Sequence, residues 1–357
     1  MVEATKDFFR LHDDIMSQYK SFANSFVDID DPQILEALKA YGDEKSMWPD
    51  PLIQFNPSYL EGCSLKQLVD EGLLDSKMDK IFNGFHLYKH QEEALRLGAQ
   101  GRDFTVTSGT GSGKSLTFLG TIINAAIKDK SQGVTGLIVY PMNALINSQT
   151  NEIEKYAQNY KNLTGEDFPV QFNQYTGQET EEVRKKIREN PPHILLTNYM
   201  MLEYLLTRQS DDSIKRALFK NLRYIAFDEL HTFRGRQGAD VAMLIRRIKA
   251  ECSHHITCMG TSATMASGTS TEERKDAVAK VASLFFGQKF ERDQIIEESL
   301  KSISAEGIPS KEELKAAVES FTQQIQSEDI LVQNALFRWV EHSQQRPPQT
   351  RTRRRPR

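Results

Sequence analysis

The stretch Ser108-Gly109-Thr110-Gly111-Ser112-Gly113-Lys114-Ser115 decides how the rest of the chain is read. The apolar, β-branched run Phe104-Thr105-Val106-Thr107 precedes it, and a helix-favouring stretch from Lys114 to Asp129 follows. Strand, glycine-rich loop and helix in that order form the context in which a backbone cradles phosphate. Gly109, Gly111 and Gly113 let the chain turn tightly and aim amide N–H groups at a β-phosphate, with Thr110 and Ser112 between them in the same cradle. Lys114 would neutralise β- and γ-phosphate oxygens, and Ser115 would offer its hydroxyl to Mg2+. A Gly/Ser-rich linker is the bland reading, but a linker is not followed by Lys-Ser and an apolar helix. The strict G-x-x-x-x-G-K-[ST] pattern is broken only at its first position, where Ser108 stands.

Outward from this loop, short apolar runs recur at Gly136–Tyr140, Val170–Phe172, Ile194–Thr197, Tyr224–Phe227 and Ile256–Met259, with helix-favouring segments between most of them. Continuous apolar strands joined by helices predict an α/β fold, a mostly parallel sheet covered on both faces. Such sheets bind ligands at the carboxyl ends of their strands. Each chemically suggestive segment falls at such an end. Residues 1–80 read as a helical and loop-rich accessory layer, broken by Trp48-Pro49-Asp50-Pro51, with Leu65, Leu68 and Val69 on one side of a turn. Residues 81–265 read as the nucleotide-binding domain and 266–343 as a helical extension opened by Ser270 and Glu273 as a capping box. Residues 344–357, rich in Pro, Arg, Thr and Gln, read as disordered.

Asp228 and Glu229 directly follow Tyr224-Ile225-Ala226-Phe227, at the mouth of a buried strand. Beside a phosphate loop, Asp228 would hold Mg2+ through water and Glu229 would polarise the attacking water. An acidic helix cap is the rival reading for the pair taken alone. Upstream, Gln91 has an amide able to donate to and accept from the edges of adenine, and Tyr88 or Phe85 is placed to pack on the base. A solvated helix start, with His90 and Gln91 facing water, is the alternative there.

Four segments then fall into a known order. Leu87-Tyr88-Lys89-His90-Gln91, the glycine loop, Asp228-Glu229-Leu230-His231 and Thr261-Ser262-Ala263-Thr264 together resemble the Q motif and motifs I, II and III of superfamily 2 nucleic-acid helicases of the DExH type. That family commonly carries a small residue where Ser108 stands. The resemblance covers about residues 85–265 and implies the first RecA-like domain of an ATP-dependent helicase or translocase, with ATP and Mg2+ as its cofactors. By the same resemblance His231 couples the nucleotide site to motif III, where Ser262, Ala263 and Thr264 carry the signal toward nucleic acid. Pro141-Met142-Asn143-Ala144-Leu145 resembles motif Ia, with Asn143 in place of the usual arginine and Gln149 sharing its role. Tyr175-Thr176-Gly177-Gln178 resembles the glycine turn between motifs Ia and Ib, and Thr197-Asn198 takes the place of motif Ib. Pro141, Asn143, Gln149, Gly177 and Thr197 are therefore the expected contacts to a nucleic-acid backbone, which carry no base specificity. Asp-Glu-Leu-His-Thr-Phe-Arg-Gly looks most like large bacterial enzymes of DNA repair and phage defence, which points to DNA as the polymer.

Composition narrows the partners. The formal net charge is −4, and six arginines lie in the last twelve residues, leaving −10 on residues 1–345. Phosphate binding must therefore come from local placement of donors, not from a global field. Three cysteines far from any CxxC spacing argue against a disulfide framework or zinc site, no run reaches a membrane span, and the charged N-terminus lacks a secretion signal; a cytoplasmic setting is the simplest expectation. Helicases of this superfamily close ATP between two RecA-like domains, the second supplying arginines to the γ-phosphate. No Q-x-x-G-R-x-x-R segment comes after Thr264, so the resemblance implies a second RecA-like domain in a longer protein or a partner chain, and weak hydrolysis without it. The alternatives are a catalytically impaired regulator that binds ATP and nucleic acid, a fragment truncated at its Pro/Arg tail, and a phosphate-loop enzyme acting on a small substrate.

Overall fold

A computed structural model describes residues 8–25, 31–34, 36–37, 58–109, 111–129, 133–263, 270–304, 307–319 and 332–345. It divides into two compact units, residues 1–56 and 57–357. In the first unit the main element is the helix Phe8–Asn24. Trp48-Pro49-Asp50-Pro51, the loop Ser267–Thr269 and residues 346–357 of the expected tail lie outside the described residues.

The second unit opens with a small antiparallel pair, β1 (Glu61–Ser64) and β2 (His86–Tyr88). Between them the helix Leu65–Asp70 starts at a reciprocal capping box in which Ser64 and Gln67 satisfy each other's backbone amides. Leu65 and Leu68 are fully buried in the same core as Val106, Phe118 and Ile138, so residues 58–81 are built into the second unit.

The main sheet has seven strands, all parallel: β3 (Phe104–Thr107), β4 (Gly136–Tyr140), β5 (Phe172–Gln174), β6 (Ile194–Asn198), β7 (Tyr224–Phe227), β8 (Thr257–Ser262) and β9 (Ile295–Glu297). Their spatial order is β5-β6-β4-β7-β8-β3-β9. Both faces are covered, and the side-chain alternation shows it: Leu137, Val139, Ile225, Phe227 and Ile295 enter one core, while Ile138, Tyr140, Ala226 and Ile296 enter the other. The expected α/β architecture, a mostly parallel sheet covered on both faces, is present.

Three departures have local causes. β5 begins two residues later than the apolar run Val170–Phe172 suggests: the Gln171 amide bonds His193 Nδ1 at 3.0 Å, and pairing with β6 starts at Phe172. β8 runs on to Ser262, since Thr261 and Ser262 pair with Val106 and Thr107 of β3. β9 lies within the stretch read as a helical extension: Ile295-Ile296 is too short a run to announce a strand, and only pairing with β3 makes it one. Because every strand is parallel, the ends Thr107, Tyr140, Gln174, Asn198, Phe227, Ser262 and Glu297 share one edge of the sheet. Among the described residues no helix is long and apolar enough to cross a membrane.

Candidate nucleotide and nucleic-acid site

The phosphate loop leaves β3 and enters the helix Lys114–Lys128 through Gly111 (φ 81°) and Gly113 (φ 71°), a left-handed backbone that favours glycine. A Cβ at Gly113 would also lie 2.4 Å from Gln91 Nε2. Among the described residues nothing stands within 4 Å of a Cβ built on Gly111. Lys114 is buried and donates to the carbonyls of Ser108 and Gly109, each at 2.9 Å, while the Ser108 and Ser112 hydroxyls hydrogen-bond at 2.5 Å. Ser115 is half-buried on the first helical turn. Thr110 lies outside the described residues.

The segment before the loop is folded against it. Gln91 accepts from the Tyr88 amide at 2.9 Å and donates to the Gly113 carbonyl at 3.0 Å; His90 Nε2 lies 3.0 Å from the Ser112 carbonyl oxygen. Both side chains are buried, which excludes the solvated helix start. Burial also pushes the His90 imidazole below its usual range, favouring the neutral ring. Tyr59, which carries no motif in the sequence, packs on Tyr88 with ring centroids 5.1 Å apart, and Phe85 is exposed.

Two strands away, Asp228 and Glu229 leave β7. The Asp228 amide extends the sheet to the Val139 carbonyl at 3.0 Å, and its carboxylate accepts from the Thr261 hydroxyl and from the Glu229 amide at 3.1 Å. Glu229 adopts a left-handed φ of 52°, costly for a residue with a Cβ and stabilised by its amide's bonds to Asp228 and, at 3.3 Å, to Thr261 Oγ1. Burial raises the Asp228 carboxyl above the ordinary carboxylate range; the bond from Thr261 and the charge of Lys114 oppose that rise. The segments carrying Lys114 and Asp228 thus leave the sheet on either side of β8, which lies between β3 and β7. His231 Nδ1 lies 3.2 Å from both Glu229 Oε2 and Ser262 Oγ. Ala263 comes after β8 in a bend, and Thr264 lies outside the described residues. Thr261, in the sequence only the start of a Ser/Thr run, is the hydroxyl that reaches Asp228.

The other half of the edge carries the segments resembling motifs Ia and Ib. Asn198 donates from its side chain to Asn143 Oδ1 at 2.7 Å and caps the next helix by accepting from the Met201 amide at 2.8 Å. Thr197 is fully buried, and its hydroxyl donates to the Tyr175 carbonyl at 2.6 Å. Gln149 donates to Glu152 at 3.3 Å, Pro141 is half-buried, and Gly177 stands in open space.

The model of the DEAD/DEAH box helicase family matches residues 88–272, just over half of the chain. The chain belongs to that family. Similar relatives include two uncharacterized ATP-dependent helicases, MJ1574 of Methanocaldococcus jannaschii (30% identical over 165 residues, 46% of this chain and 23% of the relative) and YprA of Bacillus subtilis (31% over 170 residues, 46% and 21%). The chain therefore spans less than a quarter of the length of these relatives. Among solved structures, the DUF1998 helicase MrfA bound to DNA and AMPPNP superposes with a TM-score of 0.56 at 23% identity, over 74% of this chain and 34% of MrfA. Mycobacterium smegmatis helicase Lhr, bound to ssDNA and AMP-PNP, gives 0.54 at 22% identity over 65% of this chain and 29% of Lhr. Family membership implies that the chain binds nucleotide.

Proposed function

We propose that this chain is the ATP-binding half of an ATP-dependent helicase or translocase that moves on DNA. The observation that supports the reading is that the segments carrying Lys114 and Asp228 leave β3 and β7 on either side of β8, whose Thr261 hydroxyl bonds Asp228 and whose Ser262 is met by His231. The described residues fit a magnesium–triphosphate: loop amides from Gly111 to Ser115, one ammonium at Lys114, one hydroxyl at Ser115 and one buried carboxylate at Asp228. Lys114 leaves its two carbonyl partners to meet the β- and γ-phosphates, and Glu229 takes the proton side of the attacking water. Ser115 and Asp228 would hold Mg2+, which when bound supplies neutralising charge to the phosphoryl oxygens. Gln91 exchanges its bonds to Tyr88 and Gly113 to read adenine, and Tyr88, which packs on Tyr59, lies at the base end.

Nucleic acid lies along the ends of β4, β6 and β5, over Pro141, Asn143, Gln149, Gly177 and the backbone at Thr197. His231, Ser262, Ala263 and Thr264 carry the nucleotide state toward it. DNA as the polymer is supported by the solved neighbours MrfA and Lhr, both bound to DNA, although another neighbour, Mss116, is bound to ssRNA. The arginines that complete hydrolysis come from a second RecA-like module. Withholding such an arginine typically lowers turnover by ~10³–10⁵.

An ATPase assay with single-stranded DNA, single-stranded RNA and no polymer tests the proposal. The expected result is nucleotide binding that requires Lys114 and turnover raised several-fold by single-stranded DNA. Turnover indifferent to both polymers would sink the motor reading.

A further inference from the structure

β9 places Glu298 at the phosphate loop. The Glu298 amide continues the ladder to the Thr107 carbonyl at 3.1 Å, and its carboxylate accepts from the Gly109 amide at 2.7 Å. One residue is thus tied twice, by main chain to the last residue of β3 and by side chain to the loop that β3 feeds. The next three residues are fastened too. Leu60 donates to the Ser299 carbonyl and Lys301 to the Ser58 carbonyl, each at 2.7 Å, around an antiparallel bridge between Tyr59 and Leu300. Leu60 in turn accepts from the Lys89 amide at 2.8 Å, beside Gln91. The clasp therefore runs from the loop through Glu298 and the 58–60 strip back to the residues placed at the adenine end. Neither Tyr59 nor Glu298 lies within residues 88–272, the part that matches the family.

We propose that Glu298 is a positioning residue for the phosphate loop, so that nucleotide affinity depends on a segment beyond the family-matching region. The physical reason is entropic and directional. A glycine-rich loop binds phosphate well only if its amides already point inward, and glycine has the most conformational freedom to lose. A charged acceptor on the first glycine amide makes one of the stronger hydrogen bonds available and removes that freedom before the ligand arrives. Gly109 opens the loop and Gly111, where an added Cβ would meet nothing among the described residues, stands two positions on, so the carboxylate anchors the entrance of the loop and leaves Gly111 clear. This inference rests on the nucleotide-binding reading above.

The test is equilibrium binding of MgATP, MgADP and adenosine to the full chain and to E298A, E298Q and E298D, with hydrogen exchange of the peptide spanning the loop. E298A is expected to weaken ATP and ADP binding about fivefold or more by the same factor, a modest share of a hydrogen bond to a charged group. Adenosine binding is expected to stay unchanged and loop exchange to quicken. E298Q keeps an oxygen acceptor without the charge and is expected to fall between wild type and E298A. E298D, with its carboxylate drawn back by one methylene, is expected to behave as E298A and decides the matter if E298A does not fold. Wild-type affinities in E298A and E298D overturn the inference alone, as does tighter ATP binding in E298Q, which would make the carboxylate a charge brake. A wild-type chain that binds no nucleotide overturns the proposed function as well.

Discussion

His231 Nδ1 and Ser262 Oγ lie 3.2 Å apart, linking the turn after β7 to the last residue of β8. The same ring nitrogen is 3.2 Å from Glu229 Oε2, so one imidazole touches both the carboxylate proposed to handle water and the strand end proposed to signal to nucleic acid. A displacement of Glu229 on nucleotide binding moves a shared partner of Ser262. His231→Ala should therefore leave basal nucleotide binding intact while reducing polymer stimulation of turnover several-fold or more. Measuring ATPase with and without single-stranded DNA checks it, and full stimulation in the variant would show that the coupling runs elsewhere.

Lys114→Ala and Glu229→Gln should separate binding from chemistry. Lys114 donates, among the described residues, to two carbonyls that it can exchange for phosphate oxygens. Its loss should take nucleotide binding below detection by titration calorimetry. Glu229→Gln should bind nucleotide normally and lose at least ~10²-fold in turnover, the usual contribution of a positioned base. Full activity in the second variant would remove Glu229 from its role.

The raised Asp228 carboxyl sets a pH dependence. Burial makes the acid hold its proton above the ordinary carboxylate range, and the Thr261 hydroxyl opposes this by bonding the ionised form. Magnesium needs the ionised form, so Mg2+-dependent nucleotide binding should fall, as pH is lowered, before an ordinary aspartate would protonate. For stability the sign is opposite to that of a salt-bridged acid. The native state binds this proton more tightly than the unfolded chain, so the penalty is fully present above the folded pKa and vanishes below the unfolded one. Thr261→Val should move the acid limb of MgATP binding to higher pH, read by affinity titrations at successive pH values. A limb that stays in place would mean that the hydroxyl bond does not govern Asp228.

Phe227 couples fold to site. It is fully buried and packs edge-to-face on Phe233, Phe285 and Phe286, with ring centroids 5.2–6.1 Å away, one residue before Asp228. Phe227→Ala should cost about 3–5 kcal/mol, the range for emptying such a site. A urea titration would show the midpoint falling, with nucleotide affinity dropping alongside as Asp228 loses its support.

Much of the chemistry is readable along the chain because it is local. A glycine loop between a β-branched run and an apolar helix announces phosphate binding wherever it occurs, and an acid pair after a buried strand announces its other side. The seventh strand is not readable: Ile295-Ile296 has too little length for a period to show. Likewise Tyr59 and Glu298 carry no motif, and Thr261 looks like one hydroxyl among several.

Which functional groups this edge holds, and that they sit at strand ends, follows from the spacing of neighbouring residues along the chain. The strand order that sets Lys114 and Asp228 on either side of β8, and the bond from Gly109 to a carboxylate 189 positions away, arise in the folded sheet. Partners so far apart leave no periodic trace in the chain. They meet because a parallel sheet brings all its carboxyl ends to one side.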